Sequence, residues 1–189
     1  VRFPNSKEFE KLPDAPETMK QSACNVSTKE MLKDPTFYCM FVYIVTLGSI
    51  GLIIINHMSP LLMGEFGIAA ATAALVVSVG SLFNGFGRLA CGTIFDKIGS
   101  ISTARLLSTS SLLIVGLLYL AYQMKSVPLM IGLMCAALIF FGGNASTIPS
   151  ITRGLYGAEL LSSNFSVVFL NSLFASVLTC IVGMLQAWD

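Results

Sequence analysis

The sequence predicts an all-α membrane protein, a bundle of about five transmembrane helices preceded by a hydrophilic segment. Hydrophobic residues make up 54% of the 189 positions and charged residues only 11%, whereas an ordinary soluble domain has about 25% charged residues. Twelve of the 21 charged side chains fall within residues 1–34. The rest of the chain has too little charge to cover a water-exposed surface, and a lipid environment removes that need.

Residues 1–34 are rich in Lys, Glu and Pro and lack hydrophobic periodicity, which predicts a hydrophilic linker. The end of this segment has a helix-start pattern with Ser27 or Thr28 as the cap. Pro35 then lies where a membrane helix is expected to begin, because proline is well tolerated in a first turn. The chain starts at Val1 with no signal peptide before the first apolar run, so we expect it to be part of a longer protein.

Five apolar segments follow within residues 35–189. Each approaches or exceeds the ~20 residues that cross ~30 Å of hydrocarbon, and none alternates like a β-barrel strand of about ten residues. The connections are short, so successive helices should be antiparallel neighbours. The segments span about 37–57, 69–95, 103–123, 127–149 and 165–188.

The distribution of Lys and Arg predicts the orientation of the bundle. The N-terminal lysines, Lys97, Arg105 and Arg153 fall at one end, and Lys125 is the single basic residue at the other. The positive-inside rule therefore predicts a cytoplasmic linker in a multi-pass integral membrane protein. With five crossings, Asp189 is expected on the outer face.

Composition also argues against several classes of protein. A formal net charge of +1 gives no reason to expect nucleic acid as a partner. The five cysteines are far apart, without zinc or CxxC spacing, and are interpreted as packing residues. A membrane enzyme needs a nucleophile–base pair or a metal cluster within one leaflet. One histidine and scattered cysteines supply neither, so we expect no enzyme activity, no cofactor and no metal.

Arg88 is the most informative side chain. It lies in the second segment, eight residues before Asp96, and therefore about 12 Å inside a core of ~30 Å. Charges at such depth face a cavity or a partner, yet Glu65, Asp96 and Glu159 all fall in predicted loops. An unpaired guanidinium suits a carboxylate, which it binds through two parallel hydrogen bonds. The alternative is that Arg88 extends to the headgroups or packs on backbone carbonyls.

Two polar residues precede Arg88 on the same helix. Asn84 lies one turn before it on the same face, and Ser81 lies three residues further back. Both either line a substrate pathway with Arg88 or form interhelical hydrogen bonds.

Glycines are frequent in the second and fourth segments. They either let helix backbones approach closely or make these helices flexible. The residues concerned are Gly80, Gly85, Gly87, Gly92, Gly132, Gly142 and Gly143.

The residues around Arg88 resemble those of a known family. Gly92-x-x-x-Asp96-Lys97-x-Gly99 resembles the G-x-x-x-D-[RK]-x-G loop motif of the major facilitator superfamily, which lies between the second and third helices of each six-helix half. Arg88, in the form N-G-x-x-R, resembles the substrate-anchoring helix of the oxalate:formate antiporter and monocarboxylate transporter groups. The resemblance covers most of residues 27–188.

This resemblance implies a six-plus-six helix fold in which residues 35–189 form a partial C-terminal transmembrane bundle and the N-terminal six-helix half is missing. It implies a secondary active transporter of small organic anions that works by alternating access. Asp96 and Lys97 would stabilise closure at the cytoplasmic side, with Arg105 beside them. The alternative is a non-transporting membrane receptor or regulator with the same fold.

The sequence departs from the pattern of both groups. Monocarboxylate transporters have Asp where this chain has Asn84. Oxalate:formate antiporters have a Lys in the penultimate helix, where this chain has Asn171 or Ser172. One fixed cation instead of two favours a monocarboxylate substrate over a dicarboxylate.

Three residues of the fourth segment fall where the superfamily uses aromatic side chains to gate its cavity. These are Phe140, Phe141 and Asn144; packing or lipid-facing positions are the alternative for the two phenylalanines. His57, at the outer end of the first segment, is either a coupled-proton acceptor or an interfacial polar residue.

Overall fold

The computed structural model describes residues 25–186, which form helices and contain no strand. In chain order the helices are α1 (Thr28–Met31), α2 (Pro35–Gly64), α3 (Ala70–Gln123), α4 (Val127–Tyr156), α5 (Leu161–Val168) and α6 (Asn171–Gln186). Four stretches, the last combining α5 and α6, are long and apolar enough to cross a membrane. The predicted all-α membrane fold is confirmed for this part of the chain.

Helix α3 is too long for a single crossing. Its 54 residues would extend about 80 Å as one straight helix, against ~30 Å of hydrocarbon. Gly99, with φ 78° and ψ 176°, interrupts it, and Ala73 and Ala121 near its two ends share one buried cluster. The chain therefore doubles back at Gly99. We refer to the two parts as α3a (70–98) and α3b (100–123), which brings the crossings to about five.

Helices α2 and α4 both run past the ends of the apolar segments. At the start of α2, the side chain of Asp34 accepts a hydrogen bond from the Thr36 N–H at 2.9 Å, and Pro35 directly follows this N-cap. The helix continues to Gly64. Helix α4 continues to Tyr156 instead of stopping near 149. Buried residues occur in both extensions, so tertiary packing maintains the helix beyond the point where local hydropathy falls.

The fifth apolar segment is divided by a turn at residues 169–170. Asn171 begins α6, and its Nδ2 donates to the Val168 carbonyl at 2.6 Å. This side-chain bond satisfies a carbonyl at the end of α5 that has lost its helical partner.

The buried core is concentrated toward the two ends of the bundle. The end that carries residues 25–34 is called the linker end, and the opposite end, with the α2–α3 and α3–α4 connections, is called the far end. The linker-end cluster comprises Met31, Phe37, Met40, Ile44, Ile148, Ile151, Tyr156 and Val168. The far-end cluster comprises Met58, Leu62, Ala73, Ala121, Met130, Met134, Cys135 and Leu138.

The last ten residues of the predicted linker pack against the bundle. Ser27 is the N-cap of α1, and its N–H and Oγ both donate to Glu30 Oε2 at 2.9 and 2.7 Å. Met31 is completely buried, a contact that the sequence alone did not predict. Residues 1–24 of that linker and Asp189 lie outside the described residues.

Candidate functional site

Helices α3a and α4 are in backbone contact. A methyl group added at Gly87 would overlap the Ile139 carbonyl oxygen, and one added at Gly142 would overlap the Asn84 carbonyl oxygen. Such close approach replaces the hydrophobic driving force that is missing between helices in lipid. Gly80 and Gly143 of the same interface face Leu138 and Cys91.

The other glycines of these two helices have a different environment. An added methyl at Gly85, Gly92 or Gly132 would meet none of the described residues within 4 Å. Close packing therefore explains Gly80, Gly87, Gly142 and Gly143, and leaves these three unexplained by contacts within residues 25–186.

Arg88 lies on the flank of α3a that the rest of the described chain leaves uncovered. Its neighbours Gly87 and Cys91 are buried against α4, so the helix turns Arg88 away from that interface. Within residues 25–186 the single ion pair joins Lys125 to Glu65. The guanidinium therefore has no carboxylate partner in the described part of the chain.

Asn84 lies half-buried between this open flank and α4. Its Oδ1 is buried beside Gly142 and has no hydrogen-bond partner among the described residues. Asn84 and Arg88 are one turn apart on one face, so the side-chain amide and the guanidinium lie next to each other.

Ser81 extends the same flank by one further turn. It is exposed, and its Oγ donates to the Val77 carbonyl at 3.0 Å. The hydroxyl proton is thus used in a hydrogen bond within α3a, and the oxygen can still accept a hydrogen bond.

The predicted gate residues of α4 lie within the packed bundle. The ring of Phe141 packs on Gly51 of α2, and Phe140 packs against the buried cluster of Leu47, Cys91 and Leu107. Asn144 is only 3% exposed, and its Oδ1 has no partner among the described residues. The structure therefore does not bring these three side chains to the uncovered flank of Arg88.

Asn171 and Ser172 lie at the α5–α6 break. Asn171 is buried, and its Nδ2 is occupied by the bond to Val168. Its Oδ1 faces α2, 4.0 Å from a methyl group built at Gly48. Ser172 is half-buried at the start of α6.

His57 lies half-buried at the far end of α2. Its imidazole faces Gly183 of α6, with Cε1 3.4 Å from a methyl group built there. Nε2 is buried without a hydrogen-bond partner among residues 25–186.

The loop motif lies at the linker end, where α3 reverses. Asp96, Lys97 and Arg105 are exposed there. Gly99 has a positive φ of 78°, a conformation that glycine adopts without the steric penalty of a side chain.

Two polar clusters were not predicted from the sequence. At the linker end, Asn164 is completely buried and bonds to residues 25–34. At the far end, Lys125 Nζ and Tyr122 OH both donate to Glu65 Oε2, at 3.1 and 2.9 Å. The partners are 57 to 138 residues apart, so no local pattern predicts these contacts.

The environment of Glu65 favours its charged form. The hydrogen bonds from Lys125 and Tyr122, together with the positive charge of Lys125, lower the pKa of the Glu65 carboxyl. Lys125 Nζ also lies 4.6 Å from the centroid of the Tyr122 ring, within the range of a cation–π interaction. This cluster ties the α2–α3 connection to the α3–α4 connection.

Comparison with known proteins identifies the family. Residues 2–180 match the sequence profile of the Major Facilitator Superfamily. An uncharacterized MFS-type transporter of Escherichia coli (strain K12), YhjX, is 27% identical over 163 residues, covering 83% of this chain and 40% of that protein. The oxalate:formate antiporter of Oxalobacter formigenes is 24% identical over 148 residues, covering 78% of this chain and 35% of that protein.

The chain thus spans well under half the length of either relative. No solved structure gives a significant match. The family profile covers nearly the whole sequence, and the apolar helices fit it, which confirms the predicted membership of the superfamily. This chain is a multi-pass integral membrane protein and belongs to the Major Facilitator Superfamily.

Proposed function

We propose that this chain forms part of a secondary active transporter that moves small organic anions, monocarboxylates in particular, by alternating access. Arg88 is the proposed anchor for the carboxylate. The observation that carries the proposal is an uncovered guanidinium deep in α3a with no carboxylate partner among residues 25–186. A cation at that depth is costly unless it is paired, and a bound carboxylate would supply the pair.

The neighbours of Arg88 support an anion over a cation. The side-chain amide of Asn84 lies one turn from the guanidinium, with its Oδ1 enclosed against α4, and its Nδ2 is proposed as a second donor to the anion. Ser81 and Ser172 are proposed to line the same pathway. Asn144, Asn171, Phe140 and Phe141 lie within the packed bundle, so we propose that they shape the site from behind.

The number of cations favours a single carboxylate. Helices α5 and α6 contain no Lys or Arg within residues 161–186, so α3a supplies the one cation of the proposed site. The relative from Oxalobacter formigenes is an oxalate:formate antiporter, which supports carboxylates as the substrate class.

The test is uptake by the full-length protein in proteoliposomes. We expect uptake of labelled formate that unlabelled lactate inhibits more strongly than oxalate does. Arg88→Gln should reduce uptake about 10- to 100-fold, because a charge-assisted hydrogen-bond pair is lost. Arg88→Lys should retain part of the activity, since it keeps the charge but loses the bidentate geometry.

Arg153→Gln is the matched control, because Arg153 is an exposed arginine at the end of α4. Unchanged uptake by both Arg88 variants would rule out Arg88 as the anchor for the carboxylate. If formate raises the melting temperature of the protein but is not taken up, the protein is instead a receptor or regulator. A bound ligand stabilises the fold whether or not it is transported.

The remaining roles concern orientation and coupling. We propose that the linker end is cytoplasmic, that Asp96 and Lys97 stabilise closure there with Arg105 beside them, and that an N-terminal six-helix half completes the site. His57 is the proposed proton acceptor at the far end. Labelling of Lys97→Cys from one side of oriented vesicles tests the orientation. Loss of the pH dependence of uptake in His57→Gln tests the coupling.

A further inference from the structure

Residues 25–34 are attached to the linker end of the bundle by a set of hydrogen bonds that the proposed anion site does not use. The Val26 N–H donates to the Tyr156 carbonyl at 3.1 Å. Asn164 Nδ2 donates to the Val26 carbonyl at 3.0 Å, and Thr28 Oγ1 donates to Asn164 Oδ1 at 2.8 Å. The short segment is therefore bound to both α4 and α5.

Asn164 is the centre of this attachment. The residue is 0% exposed, and a buried amide is unfavourable unless its donor and acceptor are both paired. Two of the bonds above use its Nδ2 and its Oδ1, and both partners belong to residues 25–34. Removal of this segment would leave the amide of Asn164 buried and unpaired, or would bring it into water.

An apolar contact reinforces the polar one. Met31 is 0% exposed and belongs to the same cluster as Val168 of α5 and Tyr156 of α4. The Glu159 N–H, in the turn between those helices, points to Asn25 Oδ1 at 3.4 Å. The segment therefore contacts α4, the α4–α5 turn and α5.

Helix α5 also packs against α2 and α4 through the linker-end cluster, but it lacks the local features that would stabilise it by itself. It is eight residues long, and its N-cap residue, Leu160, provides no side-chain hydrogen bond. At its other end the turn at residues 169–170 separates it from α6. An eight-residue helix is too short to be stable in isolation, so its position depends on what packs around it.

We propose that residues 25–34 form a clasp that holds α5 in place, and that the clasp and α5 dock and release as one unit. The clasp contacts α4, the α4–α5 turn and α5, so its release would uncover the α4–α5 connection. This inference goes beyond the proposed anion transport and does not depend on it.

The test measures how fast single cysteines react with a water-soluble maleimide. The full-length protein is placed in lipid nanodiscs, where both faces are accessible, after its native cysteines are replaced by alanine. Met31→Cys reports on the clasp and Val168→Cys reports on α5. Lys29→Cys, at an exposed position of α1, gives the rate for an unprotected thiol.

We expect both buried reporters to react at least about tenfold more slowly than Lys29→Cys, because reaction requires local opening. Adding Thr28→Val removes the bond to Asn164 and should speed both reporters together by about five- to thirtyfold. Thr28→Ser keeps the hydroxyl and should restore protection. Thr46→Val is the matched control, because that exposed hydroxyl bonds only to the Val42 carbonyl of its own helix.

Two results would overturn the proposal. Equal reaction rates of Met31→Cys and Lys29→Cys would show that the clasp is not docked. Faster reaction of Met31→Cys alone after Thr28→Val, with Val168→Cys still protected, would show that α5 is held independently. Asn164→Ala gives a second way to release the clasp, and the labelling decides both points even where no anion is transported.

Discussion

Gly142 of α4 lies against Asn84 of α3a so closely that a methyl group at residue 142 would overlap the Asn84 carbonyl oxygen. The same approach encloses Asn84 Oδ1 in the interface without a hydrogen-bond partner among the described residues. Close helix packing and the orientation of a predicted site residue therefore have one cause. The small backbone separation of α3a and α4 encloses this part of the Asn84 side chain.

The first prediction concerns this separation. Gly142→Ala and Gly87→Ala should each lower the free energy of unfolding by about 1–3 kcal/mol, because the added methyl meets backbone atoms that cannot move aside cheaply. Thermal unfolding in detergent measures the loss. Gly132→Ala and Gly85→Ala are the matched controls, since nothing lies within 4 Å of either added methyl. Equal melting temperatures in all four variants would contradict the observed packing.

The second prediction concerns charge next to Arg88. Asn84→Asp places a carboxylate one turn before the guanidinium, where the two charges attract each other. This internal partner competes with the transported anion, so formate uptake at neutral pH should fall about tenfold or more. Asn84→Ser is the uncharged comparison and should lose less. Higher uptake by Asn84→Asp than by Asn84→Ser would argue against Arg88 as the anchor.

The third prediction concerns the unpaired amide of Asn144. A buried amide oxygen without a partner costs about 1–3 kcal/mol, so Asn144→Leu should raise the melting temperature. If Asn144 also shapes the proposed site, the same variant should transport more slowly. Thr152→Val is the control at another buried position of α4, where the hydroxyl is already bonded to the Ile148 carbonyl at 2.8 Å and no gain is expected. A lower melting temperature in Asn144→Leu would mean that the amide is paired in the assembled protein.

The fourth prediction concerns the pH dependence of the far end. Because Lys125 and Tyr122 lower the pKa of Glu65 in the folded state, its contribution to stability is complete above the ordinary glutamate pKa. That contribution is lost as the pH falls from about 5 through the lowered value. Over that acidic range, the melting temperature of Glu65→Gln should therefore decrease less than that of the unchanged protein. Glu159 is another exposed carboxylate, and Glu159→Gln should show the same decrease in melting temperature as the unchanged protein.

The sequence predicted the membrane class and the family because both depend on local patterns. Long apolar runs require no knowledge of tertiary contacts, and the loop motif ending at Gly99 is contiguous along the chain. The positive φ of Gly99 supplies the conformation at which α3 reverses. Helix ends were harder, since packing at Met58 and Tyr156 continues α2 and α4 beyond the apolar segments.

The candidate site was predictable only in part. The i, i+4 spacing on one helix predicts a shared side of α3a for Asn84 and Arg88, but it contains no information on neighbouring helices. The direction of Phe141 toward Gly51 and the use of Asn171 to bond Val168 depend on interhelical contacts. Neither follows from position along the chain.

The sequence was sufficient to establish the membrane environment and the family of this protein, and it predicts an intramembrane depth for Arg88, because hydropathy and helix rise are properties of single segments. Only the tertiary contacts show which side of each helix is covered, that Arg88 remains uncovered, and that residues 25–34 are bound through Asn164. These outcomes depend on contacts between residues distant in sequence. In lipid such contacts are chosen by backbone fit and buried hydrogen bonds, which leave little trace in the local pattern of residues.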